Sequence, residues 1–258
     1  MSAAELTGAL SGSQWVWQRR PFPHIIVDDL FTEAVYATLV EYVRARLGRG
    51  ATKGSKHFGD PTSKYFDAEI YAFDDHDAEN LPVFLTREWH NLLADLLGIE
   101  HSGEIDAGIH RHAVGSVSGW VHNDLNPGYF SEAATSDTVV LADRKRTDYQ
   151  NGRKVAAEAG SVARIRAAAM LFYLDNDDPA GGGQTGLYDH PGQPVASPTI
   201  AVAPLNNRML AFRCTPHSYH SFMTNRTAPR TSIILWLHQT VERATTLWGE
   251  ASVVRWGP

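Results

Sequence analysis

The apolar residues of this 258-residue chain change their period near residue 104, and that change limits what the chain can fold into. Before it, hydrophobic side chains recur at three- and four-residue spacing, the mark of helices that bury one face. Val35, Leu39, Tyr42, Val43 and Leu47 form one such stripe after Thr32, a candidate cap, and Gly48 stops it. Leu85, Trp89, Leu92, Leu93 and Leu96 form a second stripe between Pro82 and Gly98. A short strand within 22–31 leads into the first helix. After residue 104, Ile105, Ala107 and Ile109 alternate with polar neighbours, and Ala167 to Leu174 is a continuous apolar run. Short runs at 200–202, 209–212 and 232–237 follow, each bounded by Gly, Pro or Asn. Helices first and strands later predict an α+β chain whose core is a β-sandwich or jelly roll.

Composition narrows the function classes. With 23 Lys+Arg against 29 Asp+Glu, the net charge of -6 provides no broad positive field for nucleic acid or anionic lipid. A hydrophobic content of 43% and a single cysteine exclude a disordered chain and a disulfide scaffold. No Pro/Gly/Ser linker divides the sequence, so residues 1–258 are expected to form one domain. Its parts would be a strand and helical support over about 22–103 and a β core over about 105–237. The glycine-rich, basic stretch 48–65 reads as a loop, and the polar stretch 129–166, with Arg144, Lys145, Arg146, Arg153 and Lys154, as an insertion that is helical around 155–163. Cys214 has no partner cysteine, no apolar run approaches a membrane span, and the N-terminus lacks a charged-then-apolar leader, which points to the cytoplasm.

The chemistry concentrates in a few residues. In a strand, His122 and Asp124 of Val-His-Asn-Asp would share one face and offer two legs of a 2-His-1-carboxylate triad, with positions left open on a non-haem Fe(II). The third leg must come from a distant strand, and Arg213-Cys-Thr-Pro-His-Ser-Tyr-His offers His217 and His220. Ten residues after His220, Arg230 opens the strand Arg-Thr-Ser-Ile-Ile-Leu-Trp-Leu. A guanidinium pointing into a barrel is costly unless an anion meets it, and its planar fork suits a carboxylate. Ser232 would face the same way and add a hydroxyl donor.

Several of these pieces, in order, resemble the Fe(II)- and 2-oxoglutarate-dependent oxygenases, particularly their prolyl-hydroxylase-like branch. Gly119-Trp-Val-His-Asn-Asp124 resembles that family's His-x-Asp segment, and Met170-Leu-Phe-Tyr-Leu-Asp175 its next core strand. The stretch Gly181 to Tyr188 resembles the glycine-rich hairpin that follows, and Pro204 to Phe212 the strand leading to the distal histidine. The interval from His220 to Arg230, closed by Arg-x-Ser, is similar to the co-substrate motif and favours His220 over His217. The resemblance implies a double-stranded β-helix (jelly-roll) core in which His122, Asp124 and His220 bind Fe(II). It further implies that Arg230 and Ser232 hold the distal carboxylate of 2-oxoglutarate and that Tyr173 donates to it. Two departures stand out: the outer iron ligands are 98 positions apart (220 minus 122), and His112 stands where the branch often has a tyrosine.

The activity implied is an O2-consuming hydroxylation of an unactivated C–H bond, with 2-oxoglutarate converted to succinate and CO2. An acid at position 124 argues against halogenation, since halogenating relatives carry a small residue there. A free amino acid or natural-product scaffold is the expected substrate, with a residue on a protein or peptide as the alternative; no nucleic acid or membrane partner is expected, and a homodimer is left open. From a different class, a non-oxidative, cupin-type ligand-binding barrel would use His110 and His112, two imidazoles on one strand face.

Overall fold

The computed structural model describes residues 2–49, 68–142, 147–148, 153–154 and 161–253. Helix α1 (Ala3–Ala9), strands β1 (Val16–Gln18) and β2 (His24–Val27), helix α2 (Glu33–Gly48), strand β3 (Glu69–Ala72) and helices α3 (Asp75–Asn80), α4 (Pro82–Leu85) and α5 (Arg87–Leu97) form the first part. Strands β4 (Glu104–His112), β5 (Pro127–Phe130), β6 (Val140–Leu141), β7 (Thr147–Asp148), β8 (Arg153–Lys154), β9 (Val162–Tyr173), β10 (Thr185–Tyr188), β11 (Ile200–Val202), β12 (Arg208–Arg213), β13 (Tyr219–Phe222) and β14 (Arg230–Thr240) follow, with helix α6 (Val241–Trp248) at the end. Most helices thus precede the change of period and most strands follow it, while β1, β2 and β3 come before it and α6 after. No helix among the described residues is long and apolar enough to cross a membrane.

Nine strands make one large sheet in the order β1-β2-β12-β9-β14-β4-β3, with β5 attached to β9 and β6 to β4. A smaller sheet, β11-β10-β13, faces it, and the two form a double-stranded β-helix. Strand alternation gives the large sheet two different faces. Ile109, Met170, Phe172, Met209, Ala211, Ile233 and Leu235 point one way, into a core closed by Leu39 and Val43 of α2 and by Trp89, Leu93 and Leu97 of α5. Leu171, Tyr173, Leu210, Phe212 and Trp236 point the other way, towards Leu187 and Val202 of the smaller sheet. The helices thus bury one face, and the second face becomes the lining of the β-helix.

Three local expectations change. Thr32 occupies the N-cap position of α2, but its side chain makes no capping hydrogen bond. The stretch after Pro82 is not one helix: Thr86 takes an extended conformation with ψ 150 and separates α4 from α5, which ends at Gly98 in the left-handed region with φ 61. The expected loop at 48–65 lies, beyond Arg49, outside the described residues. The stretch 129–166 is not all insertion, because Phe130 pairs with Val162 and Pro127 with Ile165 in the large sheet. Val162 and Ala163 are accordingly strand rather than helix, β7 and β8 form a short ribbon between, and residues 155–160 lie outside the described ones.

His90 shows how tightly the helical layer is sealed. It is 0% exposed on α5, and its Nε2 donates to the Phe84 carbonyl at 2.8 Å while Nδ1 has no partner. Burial lowers its pKa from 6.5 to about 3. The neutral form is therefore favoured by folding, so this stability is complete above pH 6.5 and is lost as pH falls from 6.5 towards 3. Chemical denaturation at pH 5 should show a loss of about 2 kcal/mol from this group relative to neutral pH. His90→Gln, which keeps an N–H for Phe84, should flatten that part of the profile; an unchanged profile would mean that another group sets it.

Candidate active site

His122, Asp124 and His220 converge at the mouth between the two sheets. Their ligating atoms all lie within 4.8 Å of one another, and this is the one such metal-competent group among the described residues. The strand expected at 121–124 is absent: only an isolated bridge forms, in which the His122 N–H donates to the His220 carbonyl at 3.1 Å and the His220 N–H to the His122 carbonyl at 2.8 Å. This exchange ties the loop to β13 and holds the two imidazoles with centroids 4.5 Å apart. A turn then replaces strand alternation in presenting Asp124. The Asn126 N–H donates to the Asp124 carbonyl at 2.8 Å, and the Leu125 N–H to Asn123 Oδ1 at 3.1 Å.

Hydrogen bonds choose the tautomers. Nδ1 of His122 donates to the Trp120 carbonyl at 2.8 Å and Nδ1 of His220 to the Ser218 carbonyl at 3.0 Å, so in both rings Nε2 is the atom that faces Asp124. These Nε2 atoms stand 3.9 Å and 3.5 Å from the Asp124 oxygens. Burial, then the neighbouring His220, lowers the His122 pKa to about 4, which keeps it a neutral ligand at ordinary pH. Burial by itself would raise the Asp124 pKa. Arg166 foremost, with His220 and His122, outweighs it and holds the carboxyl well below the usual carboxylate range. A carboxylate held between two imidazoles that present Nε2 is a donor set that fits a divalent non-haem iron.

A second cluster lies deeper on the same sheet face. Ser232 pairs with Tyr173 on one side and His110 on the other, while Arg230 pairs with His112. Arg230 is 3% exposed, its guanidinium carbon is 5.1 Å from the Tyr173 ring centroid, and its Nη2 donates to Thr185 Oγ1 at 3.3 Å. The Tyr173 hydroxyl donates to the same Thr185 oxygen at 2.8 Å. Neither Arg230 Nε nor Ser232 Oγ has a hydrogen-bond partner, and no carboxylate among the described residues forms an ion pair with Arg230. Unsatisfied donors and an uncompensated cation, buried side by side, fit a carboxylate brought from outside. The glycine hairpin makes room for them: Gly183 has φ 75, and a Cβ there would stand 3.0 Å from Arg230 Cβ and Cγ.

The other candidates fall away from the centre. His217 is exposed on the turn before β13. His112 stacks on Phe222 at 3.6 Å between centroids, and His110 meets the Trp236 ring edge-on at 5.8 Å, so the pair proposed for a cupin-type barrel does not join a metal-competent group. Asn225 is buried and donates to the Ala113 and Ala228 carbonyls. Asp175 pairs with Arg44, and Asp178 accepts from the Thr227 hydroxyl. Sequence reasoning missed Arg166, which pairs with Asp124, and Thr185, which joins Tyr173 to Arg230.

A β-helix with a buried His-Asp-His group at its mouth and a buried arginine in its depth offers one place that fits a divalent metal and another that fits a carboxylate. Residues 143–238 match the family model of the 2OG-Fe(II) oxygenase superfamily, a span that includes His220, Arg230 and Ser232 and leaves His122 and Asp124 upstream. The match spans 96 of the 258 residues, and the superfamily it describes is named for 2-oxoglutarate and Fe(II). Its fold is similar to a prolyl-4-hydroxylase from Pseudomonas putida, with TM-score 0.52, 16% identity, and 91% of this chain and 98% of that chain covered. It is also similar to the viral collagen prolyl hydroxylase of Paramecium bursaria Chlorella virus-1 in its 2OG complex, with TM-score 0.51, 12% identity and coverage of 84% and 96%. A Trichoplax adhaerens prolyl hydroxylase bound to a hypoxia inducible factor peptide fragment gives TM-score 0.52, 14% identity and coverage of 87% and 86%. No curated protein matches the sequence.

The unpaired Arg230 has an energetic consequence. Burial disfavours its charged form, so replacing it with an apolar chain of similar length should stabilise the ligand-free protein. Arg230→Met is expected to raise the thermal midpoint by an amount equivalent to about 1–4 kcal/mol. A lowered midpoint would show that the guanidinium is already compensated in the fold.

Proposed function

We propose that His122, Asp124 and His220 hold Fe(II), that Arg230 and Ser232 hold the distal carboxylate of 2-oxoglutarate, and that Tyr173 lies against that carboxylate. The observation that carries this reading is the buried Arg230, which lacks an anionic partner among the described residues and lies on the sheet face that leads to the triad. In the ligand-free fold the Tyr173 hydroxyl is engaged by Thr185, so its part in binding is the smaller one. When bound, the iron and keto acid supply O2 activation coupled to decarboxylation. The balance for the substrate is R–H + 2-oxoglutarate + O2 → R–OH + succinate + CO2. The protein's share is to fix the carboxylate, present three ligands on one side of the metal and keep the site dry.

The substrate class has two readings. A small molecule, such as a free amino acid or natural-product scaffold, is the first, and it rests on the sequence alone, where the loop-like stretch 48–65 and the polar stretch within 129–166 favour it. A residue on a protein or peptide is the second, favoured by likeness to prolyl hydroxylases, one of them with a peptide bound. The same reading treats 1–258 as one oxygenase domain and places it in the cytoplasm, where a buried free Cys214 is at home.

An anaerobic titration with Fe(II) and 2-oxoglutarate tests the assignments directly. The visible absorption of a chelated keto acid should appear in wild type and be lost in His220→Ala and Asp124→Ala. Arg230→Ala should raise the 2-oxoglutarate concentration needed by 10-fold or more, the scale expected when a charge-assisted pair of about 1.5–3 kcal/mol is lost, without altering metal affinity. Unchanged co-substrate dependence would remove Arg230 from the pocket. Succinate release measured with amino acids and with proline-containing peptides then separates the two substrate readings.

A further inference from the structure

Arg166 stands beside the triad because of an irregularity in the sheet. Leu237 of β14 pairs with Ala168 of β9, but the next pair is His238 with Arg166, so Ala167 is left over as a bulge. Arg166 Nη1 donates to Asp124 Oδ1 at 2.8 Å and to Asn126 Oδ1 at 3.2 Å, and Nη2 is 3.7 Å from Asp106 Oδ2. The guanidinium carbon lies 3.9 Å from the centroid of the Trp236 ring. Trp236 Nε1 donates to the other oxygen, Asp124 Oδ2, at 2.6 Å. Each carboxylate oxygen therefore has its own donor, the donors come from two strands, and stacking plus Asp106 fixes the donors relative to each other.

We propose that Arg166 and Trp236 are positioning residues that form an anion cradle, which sets the plane of the Asp124 carboxylate before metal arrives and accepts a small carboxylate when Asp124 is removed. The proposal rests on the reading of Asp124 as a metal ligand for its effect on metal affinity. The cradle itself does not depend on that reading. Outer partners of metal ligands commonly change metal affinity by about 10–100-fold. Trp236→Phe removes the N–H together with part of the indole and keeps an aromatic ring under the guanidinium; Arg166→Lys keeps the charge and removes the fork.

Co(II) binding, followed by visible absorption and calorimetry on the full chain, gives the first readout. Both variants should bind Co(II) about 10-fold or more weakly than wild type while their circular dichroism remains that of the folded protein. The second readout needs no metal. Formate should raise the thermal midpoint of Asp124→Ala in a saturable way, and Asp124→Ala with Trp236→Phe should require several-fold more formate. If the single variants bind Co(II) like wild type, or if the formate shift is absent or indifferent to Trp236, the cradle is overturned. Should wild type bind no Co(II), the metal reading falls, and the formate shift alone decides whether the cradle stands.

Discussion

The pairing of β9 with β14 is the contact on which the rest of the molecule depends. These are the two central strands of the large sheet, and their register sets Ser232 opposite Tyr173 and Trp236 opposite Ala169. A slip of β14 by one residue would exchange its two faces, sending Ser232 and Trp236 into the helical core and Ile233 and Leu235 into the site. The apolar burial of Met170, Phe172, Ile233 and Leu235 against α2 and α5 penalises such a slip. The core on one side of the sheet thus fixes the geometry of the chemistry on the other.

That arrangement divides the labour between the layers. Among the described residues, the helices contribute no side chain to the His-Asp-His group or to the surroundings of Arg230; their part is to close the apolar face so that β9, β12, β14 and β4 are buried on both sides. A sheet covered in this way can place charged groups on its inner face only where partners meet them. Arg166 meets Asp124 and Asp106, and Arg164 meets Glu104 at 2.8 Å. Each of these pairs lies towards the mouth, where β5 and the loop at 121–126 close over the strands.

How much of this was legible in the sequence follows from how local each signal is. The apolar stripes of the helices and the run Ala167–Leu174 depend on near neighbours, and they marked real elements, although the stripe after Pro82 breaks at Thr86 into α4 and α5. The glycine hairpin and the interval from His220 to Arg230 are also short-range, and they pointed to residues that the fold brings together. His122 and Asp124 were found by reasoning from strand alternation, yet it is a turn and a bridge to β13 that present them. Arg166 shows where short-range reading ends. Counting back from Tyr173 by twos gives Leu171, Ala169 and Ala167 on the site face, which puts Arg166 on the wrong one. The bulge at Ala167, whose carbonyl accepts from the Cys214 N–H at 2.8 Å, reverses that parity. No periodicity within β9 encodes it.

The two buried arginines of the site then have opposite electrostatic roles. Arg166 is neutralised by carboxylates of its own chain, so it belongs to the ligand-free fold and holds Asp124 ionised. Arg230 is buried to the same degree with a hydroxyl and two aromatic rings around it, none of which cancels its charge. Its desolvation is a cost carried by the ligand-free protein, and a dicarboxylate co-substrate would relieve it on arrival. Binding would then draw on a strain that folding has already stored, which favours an anion that reaches the depth of the β-helix over one that stops at its mouth.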